Sequence, residues 1–86
     1  MIYEYTPTGV CSVKMIFEIE NKIVKNLKII GGCPGNGLGV ASLCKNKEID
    51  DVIERLEGIR CGFKKTSCPD QIAEALKNYK KINNII

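Results

Sequence analysis

The sequence predicts an α+β fold, in which a small antiparallel sheet is covered on one face by two to three helices. The first part of the chain alternates apolar and polar residues, the second part has helical spacing, and no repeat or linker separates the two. The 86 residues have room for a single domain, residues 1–86, with a core that gives only marginal stability. A metal ion, a partner or self-association would therefore add useful stability.

The sheet is predicted to contain an N-terminal strand and a β-hairpin. Residues 2–6 form the first strand, which the turn at Pro7-Thr8-Gly9 ends. In the hairpin, alternating apolar residues predict one face that packs against the helices: Val13, Met15, Phe17, Ile19, Ile23, Leu27 and Ile29. With a three-residue loop at residues 20–22, the expected pairs are Ile19 with Ile23, Met15 with Leu27 and Val13 with Ile29.

The second part of the chain is predicted to be helical after a glycine-rich loop at residues 31–37. A short helix is expected at residues 38–45. Apolar residues recur at helical spacing in the next helix, which Gly58 ends: Ile49, Val52, Ile53 and Leu56. The same spacing defines the last helix, over residues 71–79: Ile72, Ala75, Leu76 and Tyr79.

Five cysteines and no histidine are the unusual feature of the composition. The net charge of +3 is modest and no basic stripe is interleaved with aromatics, so nucleic acid is not an expected partner. The N-terminal segment lacks the features of a signal peptide, and no apolar run is long enough to span a bilayer. We therefore expect a cytoplasmic protein, in which clustered cysteines indicate metal or redox chemistry more often than structural disulfides.

The segment Thr66-Ser67-Cys68-Pro69 marks the start of the last helix. Proline is tolerated at the first helical position, so Cys68 is the predicted N-cap, with its sulfur near free backbone N–H groups. Helix N-termini favour the thiolate, which is the nucleophilic and metal-binding form of cysteine. In the alternative interpretation, Ser67 or Thr66 caps the helix and Cys68 only packs.

The hairpin register predicts where two further cysteines lie. Cys11 has the parity of the helix-covered face and lies opposite Gly31, and Cys33 follows on the partner strand if that strand continues. Cys33 also precedes a proline at a helix start, as Cys68 does, and Cys61 follows a helix end. Four thiols could thus converge on one tetrahedral zinc ion.

Three other interpretations of these residues remain open. The spacing is weak evidence for zinc, because the Cys-x-x-Cys pairs usual in zinc ribbons are absent. Cys61 and Cys68 could instead form a redox pair, or the cysteines could be buried and inert. The glycine-rich loop could cradle an anion or nucleotide, although it lacks the lysine and hydroxyl of a P-loop and a tight turn explains its glycines. Cys44 has the pattern of an ordinary apolar position in the short helix.

Three motifs in order resemble the TSCPD domain. They are Gly-Gly-Cys at residues 31–33, Leu-x-Gly-Ile-x-Cys at residues 56–61 and Thr-Ser-Cys-Pro-Asp-Gln at residues 66–71. The likeness covers nearly the whole chain and is greatest to small stand-alone bacterial proteins of that family. It implies that the four characteristic cysteines are Cys11, Cys33, Cys61 and Cys68, and it leaves Cys44 outside that set. Pro34 departs from the family pattern in the glycine-rich segment.

The resemblance extends to a domain near the C-terminus of adenosylcobalamin-dependent (class II) ribonucleotide reductases. It implies a link to the synthesis of DNA precursors, with a reductase or another nucleotide-metabolising protein as partner. The chain is too short for the catalytic barrel, so reductase activity of its own is not expected. We expect an accessory or binding module with a zinc-binding cysteine cluster; the alternative is a thiol-redox protein that re-reduces a reductase through Cys61 and Cys68.

Overall fold

A computed structural model of the chain describes residues 1–10, 12–31, 34–59 and 66–83, with the backbone alone for residues 34–38. Within these residues, antiparallel strands form one sheet in the order β1-β2-β3-β4. The strands are β1 (Ile2–Tyr5), β2 (Ser12–Glu20), β3 (Ile23–Gly31) and β4 (Lys47–Glu48). The helices are α1 (Pro34–Cys44), α2 (Ile49–Leu56) and α3 (Cys68–Ile82). The predicted α+β fold is confirmed, and the two-residue β4 is an addition to the predicted sheet.

The core lies between one face of the sheet and the helices. In the middle of β2, the side chains of Met15, Phe17 and Ile19 are at most 2% exposed, whereas Glu18 between them is exposed. This alternation is what the sequence pattern predicts for a half-buried strand. The strand residues share one buried cluster with these helical residues: Ile49, Val52, Ile72, Ala75, Leu76 and Tyr79.

The predicted hairpin register is wrong because the turn is shorter than expected. The turn contains Asn21 and Lys22, with φ of 52° and 64°, and Glu20 pairs with Ile23. Positive φ at both central residues is the requirement of the type I′ turn, whose twist suits a two-residue hairpin. The predicted partner of Ile23 was Ile19.

A bulge further along the hairpin shifts the register again. Between Glu18 and Ile19 the pairing slips by one residue, after which Phe17 pairs with Leu27 and Met15 with Ile29. The predicted pairs of Met15 with Leu27 and of Val13 with Ile29 are therefore also wrong. The extra residue inverts the alternation of β3 near the turn, so that Val24 is buried there and Ile23 only partly so.

A second bulge lies at the start of β2, between Ser12 and Lys14. Val13 is the extra residue and is 64% exposed, whereas Ser12 is 5% exposed. The prediction that Val13 faces the helices is wrong, because a bulge reverses the side-chain alternation beyond it. The predicted orientation of Cys11 rests on the same alternation, and Cys11 itself lies outside the described residues.

The helices follow the predicted spacing, but two of them differ in extent from the prediction, since α3 spans Cys68–Ile82 and not only residues 71–79. α1 begins at Pro34, so residues 34–37, which were predicted as loop, belong to the helix. Proline favours this start because its φ is already helical and it has no N–H to leave unpaired. α2 ends at Leu56, and Gly58 follows with a φ of 81° as predicted. No helix in the described part of the chain is long and apolar enough to cross a membrane.

Candidate functional site

The first turn of α3 is capped by Ser67, not by Cys68 as the first interpretation predicted. The Ser67 hydroxyl accepts a hydrogen bond from the N–H of Asp70 at 3.2 Å and donates one to the carbonyl of Ile59. A serine oxygen is a strong acceptor in the N-cap position and a thiol is a weak one. Cys68 is therefore the first residue of the helix, followed by Pro69, and the alternative prediction of a Ser67 cap is confirmed.

Asp70 joins the start of α3 to the end of α2. Its carboxylate accepts hydrogen bonds from the backbone N–H of Gly58, at 2.7 Å, and from the hydroxyl of Thr66. The carboxylate also lies in the first turn of the helix, where the positive end of the macrodipole stabilises it. Asp70 thus holds Gly58, just after α2, and Thr66, just before α3, at the start of the last helix.

Gln71 connects this segment to the N-terminal part of the chain. The side chain is 6% exposed, and its Oε1 accepts hydrogen bonds from the N–H of Thr8 at 3.0 Å and from the hydroxyl of Tyr5 at 3.4 Å. Its Nε2 donates to the Thr66 hydroxyl at 3.0 Å. Burial, and then the charge of Glu74, raise the pKa of Tyr5 above its ordinary value, so this phenol remains a neutral donor.

Close backbone packing completes the contact between the N-terminal turn and α3. Gly9 has a φ of 70°, and a Cβ built on it would lie 3.2 Å from the Thr66 Cγ2. A side chain at this position would therefore strain the backbone and press on Thr66. Glycine at position 9 thus allows the N-terminal turn to pack closely against Thr66.

Cys68 has a half-buried thiol at the junction where the N-terminal segment and the start of β2 meet the first turn of α3. Its Sγ lies 3.4 Å from the Oγ of Ser12, a buried residue at the start of β2. The neighbouring hydroxyls, carboxylate and amide hold the surrounding backbone, whereas the sulfur faces the end of the sheet. Cys68 also packs against the buried core cluster as one of its partly buried apolar neighbours.

Residues close in sequence to the other predicted ligands meet at the same junction. Ser12, which contacts the Cys68 sulfur, directly follows Cys11 in the sequence. Ser12 also pairs with Gly31, two residues before Cys33, and Ser67 binds the carbonyl of Ile59, two residues before Cys61. Cys11, Cys33 and Cys61 themselves lie outside the described residues.

Among the residues that the structure describes, no three cysteine, histidine or acidic side chains form a group that could hold a metal ion. Cys68 is the predicted ligand that belongs to this part of the chain, and it has the surroundings given above. The four-cysteine metal site therefore stays a prediction.

Cys44 lies in the hydrophobic core, in agreement with its predicted role as an ordinary apolar residue. It is 3% exposed and belongs to the same buried cluster as Ile49 and Val52. Burial raises the pKa of its thiol to about 11, because the thiolate would lose its hydration there. This thiol stays protonated at neutral pH and is a poor nucleophile.

The family model of the TSCPD domain matches residues 1–80 of the 86-residue chain. The chain belongs to the TSCPD-domain family. No curated protein and no solved structure matches it.

In this TSCPD domain, the residues of the Thr-Ser-Cys-Pro-Asp motif have distinct structural roles. Thr66, Ser67 and Asp70 hold the loops around the start of α3, and Pro69 lies in its first turn. Cys68 is the motif residue whose side chain contacts Ser12, at the start of β2.

Ser12 and Gln71 also lie around Cys68, but they were not predicted from the sequence as site residues. Gln71 carried a signal, because it is a polar residue one turn before Ala75 on the apolar stripe of α3. A polar side chain on a buried stripe indicates a specific hydrogen-bond partner. Ser12 carried no such signal, because its inward orientation depends on the bulge at Val13.

Proposed function

We propose that this TSCPD domain is a non-enzymatic accessory or binding module built around one zinc ion. The proposed ligands are the thiolates of Cys11, Cys33, Cys61 and Cys68. The resemblance to a domain of class II ribonucleotide reductases supports a reductase, or another nucleotide-metabolising protein, as its partner in deoxyribonucleotide synthesis.

The main support for the metal site is that the chain segments next to the other three cysteines lie close to Cys68. The Ser12–Cys68 contact, the Ser12–Gly31 pairing and the Ser67–Ile59 hydrogen bond join the segments next to the other three cysteines. A set of four thiolates with no histidine in the chain fits zinc, which binds sulfur ligands tetrahedrally.

The energetics of a small domain support the same proposal. A structural zinc ion contributes its binding free energy to folding, which matters most where the hydrophobic core is small. In the proposed site, zinc would cross-link the end of the sheet to the start of α3. Cys44 supplies no ligand, because it lies in the core among apolar side chains.

Metal analysis of the full chain, purified without added zinc, tests the site. We expect one zinc ion per chain by native mass spectrometry, its loss in Cys68→Ala, and its retention in the matched control Cys44→Ala. Chelation should also lower the unfolding temperature of the wild type. A metal-free wild type that forms a reversible disulfide would contradict the proposal and favour the redox alternative with Cys61 and Cys68.

Titration calorimetry with a purified adenosylcobalamin-dependent ribonucleotide reductase from the same organism tests the partner. We expect the zinc-loaded domain to bind the reductase and the metal-free Cys68→Ala variant to bind it more weakly. The Cys44→Ala variant should bind like the wild type. Absence of binding by the loaded wild type would refute the reductase as partner without affecting the metal site.

A further inference from the structure

The outer face of the sheet, opposite the buried side chains of Met15 and Phe17, carries a diagonal row of isoleucines. Cross-strand partners share a face, so residue 16 of β2 and its neighbours at 14 and 18 lie there with their partners on β1 and β3. Ile2 pairs with residue 18, and Ile30 pairs with residue 14. Ile2, Ile16 and Ile30 therefore form a stripe that crosses three strands at an angle, the isoleucine stripe. Its two ends, Ile2 and Ile30, are 61% and 39% exposed.

Charged residues divide this face into an acidic half and a basic half. Glu4 of β1 and Glu18 of β2 lie beside the stripe toward its Ile2 end. Lys14 of β2 and Lys28 of β3 lie beside it toward the Ile30 end. Glu4 and Lys14 are on one side of the stripe and form an ion pair at 3.1 Å. Glu18 and Lys28 are on the other side, and neither forms an ion pair within the described part of the chain.

A second copy of the same face has the charges that match this pattern. When two isoleucine stripes pack antiparallel, Ile16 meets Ile16 of the second copy and Ile2 meets Ile30 of the second copy. The same two-fold rotation places the acidic half of each copy on the basic half of the other, with Glu18 over Lys28 and Glu4 over Lys14. Because the stripe runs diagonally across the strands, the strands of the two sheets cross at about 90°, which is one of the preferred angles for packed sheets.

We propose that the chain forms a two-fold symmetric homodimer through the outer face of its sheet. The two isoleucine stripes supply the apolar contact, and the acidic and basic halves fix the orientation of the copies. Such an interface is self-complementary, which is the condition for a closed dimer. Three strands present a small area, so we expect a weak dimer with a Kd on the order of micromolar. The inference does not depend on the proposed zinc site.

Sedimentation equilibrium of the full chain over a range of concentrations tests the dimer. We expect a monomer–dimer equilibrium that shifts toward monomer as the salt concentration rises. Glu18→Lys and Lys28→Glu each place like charges against one another in a homodimer, so the Kd of each variant should rise at least about 10-fold. An equal mixture of the two variants should dimerise like the wild type, because every contact between them again joins opposite charges. A contact within one chain could not be restored by mixing.

Glu54→Lys on α2 and Lys81→Glu on α3 are the matched controls. They make the same changes of charge at exposed positions on the helices and should leave the Kd unchanged. Circular dichroism checks that all variants keep the fold, as expected for substitutions at exposed residues. A wild type that stays monomeric at every concentration would overturn the dimer. A dimer that the two sheet variants do not weaken, or that their mixture does not restore, would use another surface and also overturn the proposal.

Discussion

The Oε1 of Gln71 accepts a hydrogen bond from the backbone N–H of Thr8 at 3.0 Å, across 63 residues of chain. The same side chain also binds the hydroxyls of Tyr5 and Thr66, so one buried amide joins the N-terminal segment to the first turn of α3. Cys68 lies in that turn. The position of its thiol relative to the sheet therefore depends on specific hydrogen bonds as well as on apolar packing.

Replacement of this amide should destabilise the fold. In Gln71→Leu the N–H of Thr8 loses its partner, and we expect the free energy of unfolding to fall by about 1–3 kcal/mol. Asn78→Ala is the control, because Asn78 makes an exposed hydrogen bond to the Tyr3 hydroxyl and its loss should cost about 0.5 kcal/mol or less. Urea unfolding followed by circular dichroism measures both. Equal effects would contradict the central role of Gln71.

The N-cap of α3 gives a second prediction. Ser67→Ala removes the acceptor for the Asp70 N–H and the donor to the Ile59 carbonyl, and we expect a loss of about 1–2 kcal/mol in unfolding free energy. Ser67→Thr keeps a hydroxyl for both bonds and should regain most of that stability. A threonine variant as unstable as the alanine variant would mean that packing around residue 67, and not its hydroxyl, matters.

Three glycine-to-alanine variants should separate backbone strain from steric contact. Gly58 has a φ of 81° and open surroundings, so Gly58→Ala should cost about 1–2 kcal/mol through the backbone alone. Gly9→Ala should cost more, because its Cβ also presses on Thr66. Gly39 lies in α1 with open space around it, so Gly39→Ala should stabilise the protein by roughly 0.5–1 kcal/mol. Thermal unfolding of the three variants tests this order.

The buried thiol of Cys44 predicts a loss of stability at alkaline pH. Its pKa is raised from 9.0 to about 11, so the unfolded chain releases this proton at a lower pH than the folded protein does. The contribution to stability is therefore complete below pH 9.0 and is lost as the pH rises toward about 11. Over that interval, the wild type should lose roughly 2 kcal/mol more than Cys44→Ala. Urea unfolding of both proteins across this range measures the difference, and identical pH dependence would contradict it.

Apolar spacing was sufficient to predict the helices that build the core. Ile49 and Val52 of α2, and Ile72 and Leu76 of α3, lie at helical spacing on apolar stripes that are buried in the core cluster. The strand from Met15 to Ile19 was predictable for a similar reason. Alternating apolar and polar residues indicate a strand that is buried on one face and exposed on the other.

The hairpin register was not predictable from the same pattern. Lys22 adopts a positive φ beside Asn21, and this gives a two-residue turn where the apolar pattern favoured three. The two bulges each insert one residue, and an inserted residue is favoured by contacts across the sheet and with the helices. Val13 is apolar, so its sequence pattern alone gave no reason to place it in solvent.

At Cys68, the one described cysteine among the predicted ligands, the structure tests the predicted helix start and cap, and the metal site itself stays a prediction. The proline after Cys68 indicated the helix start correctly, but two adjacent residues could each have served as the cap, and the better acceptor, Ser67, does so. The core position of Cys44 followed from its apolar pattern. The contact between Ser12 and Cys68 depends on a bulge and on a distant helix, so no local pattern contained it.

The hydrogen bonds of Gln71 also set the order of events during synthesis. The N–H of Thr8 and the hydroxyl of Tyr5 find their partner only after the ribosome has released residue 71. Until then the hairpin can form, but its apolar face lacks α3 and stays open to other chains. Contacts of such long sequence separation slow folding, so the full set of contacts around the sheet forms only once the last helix has emerged.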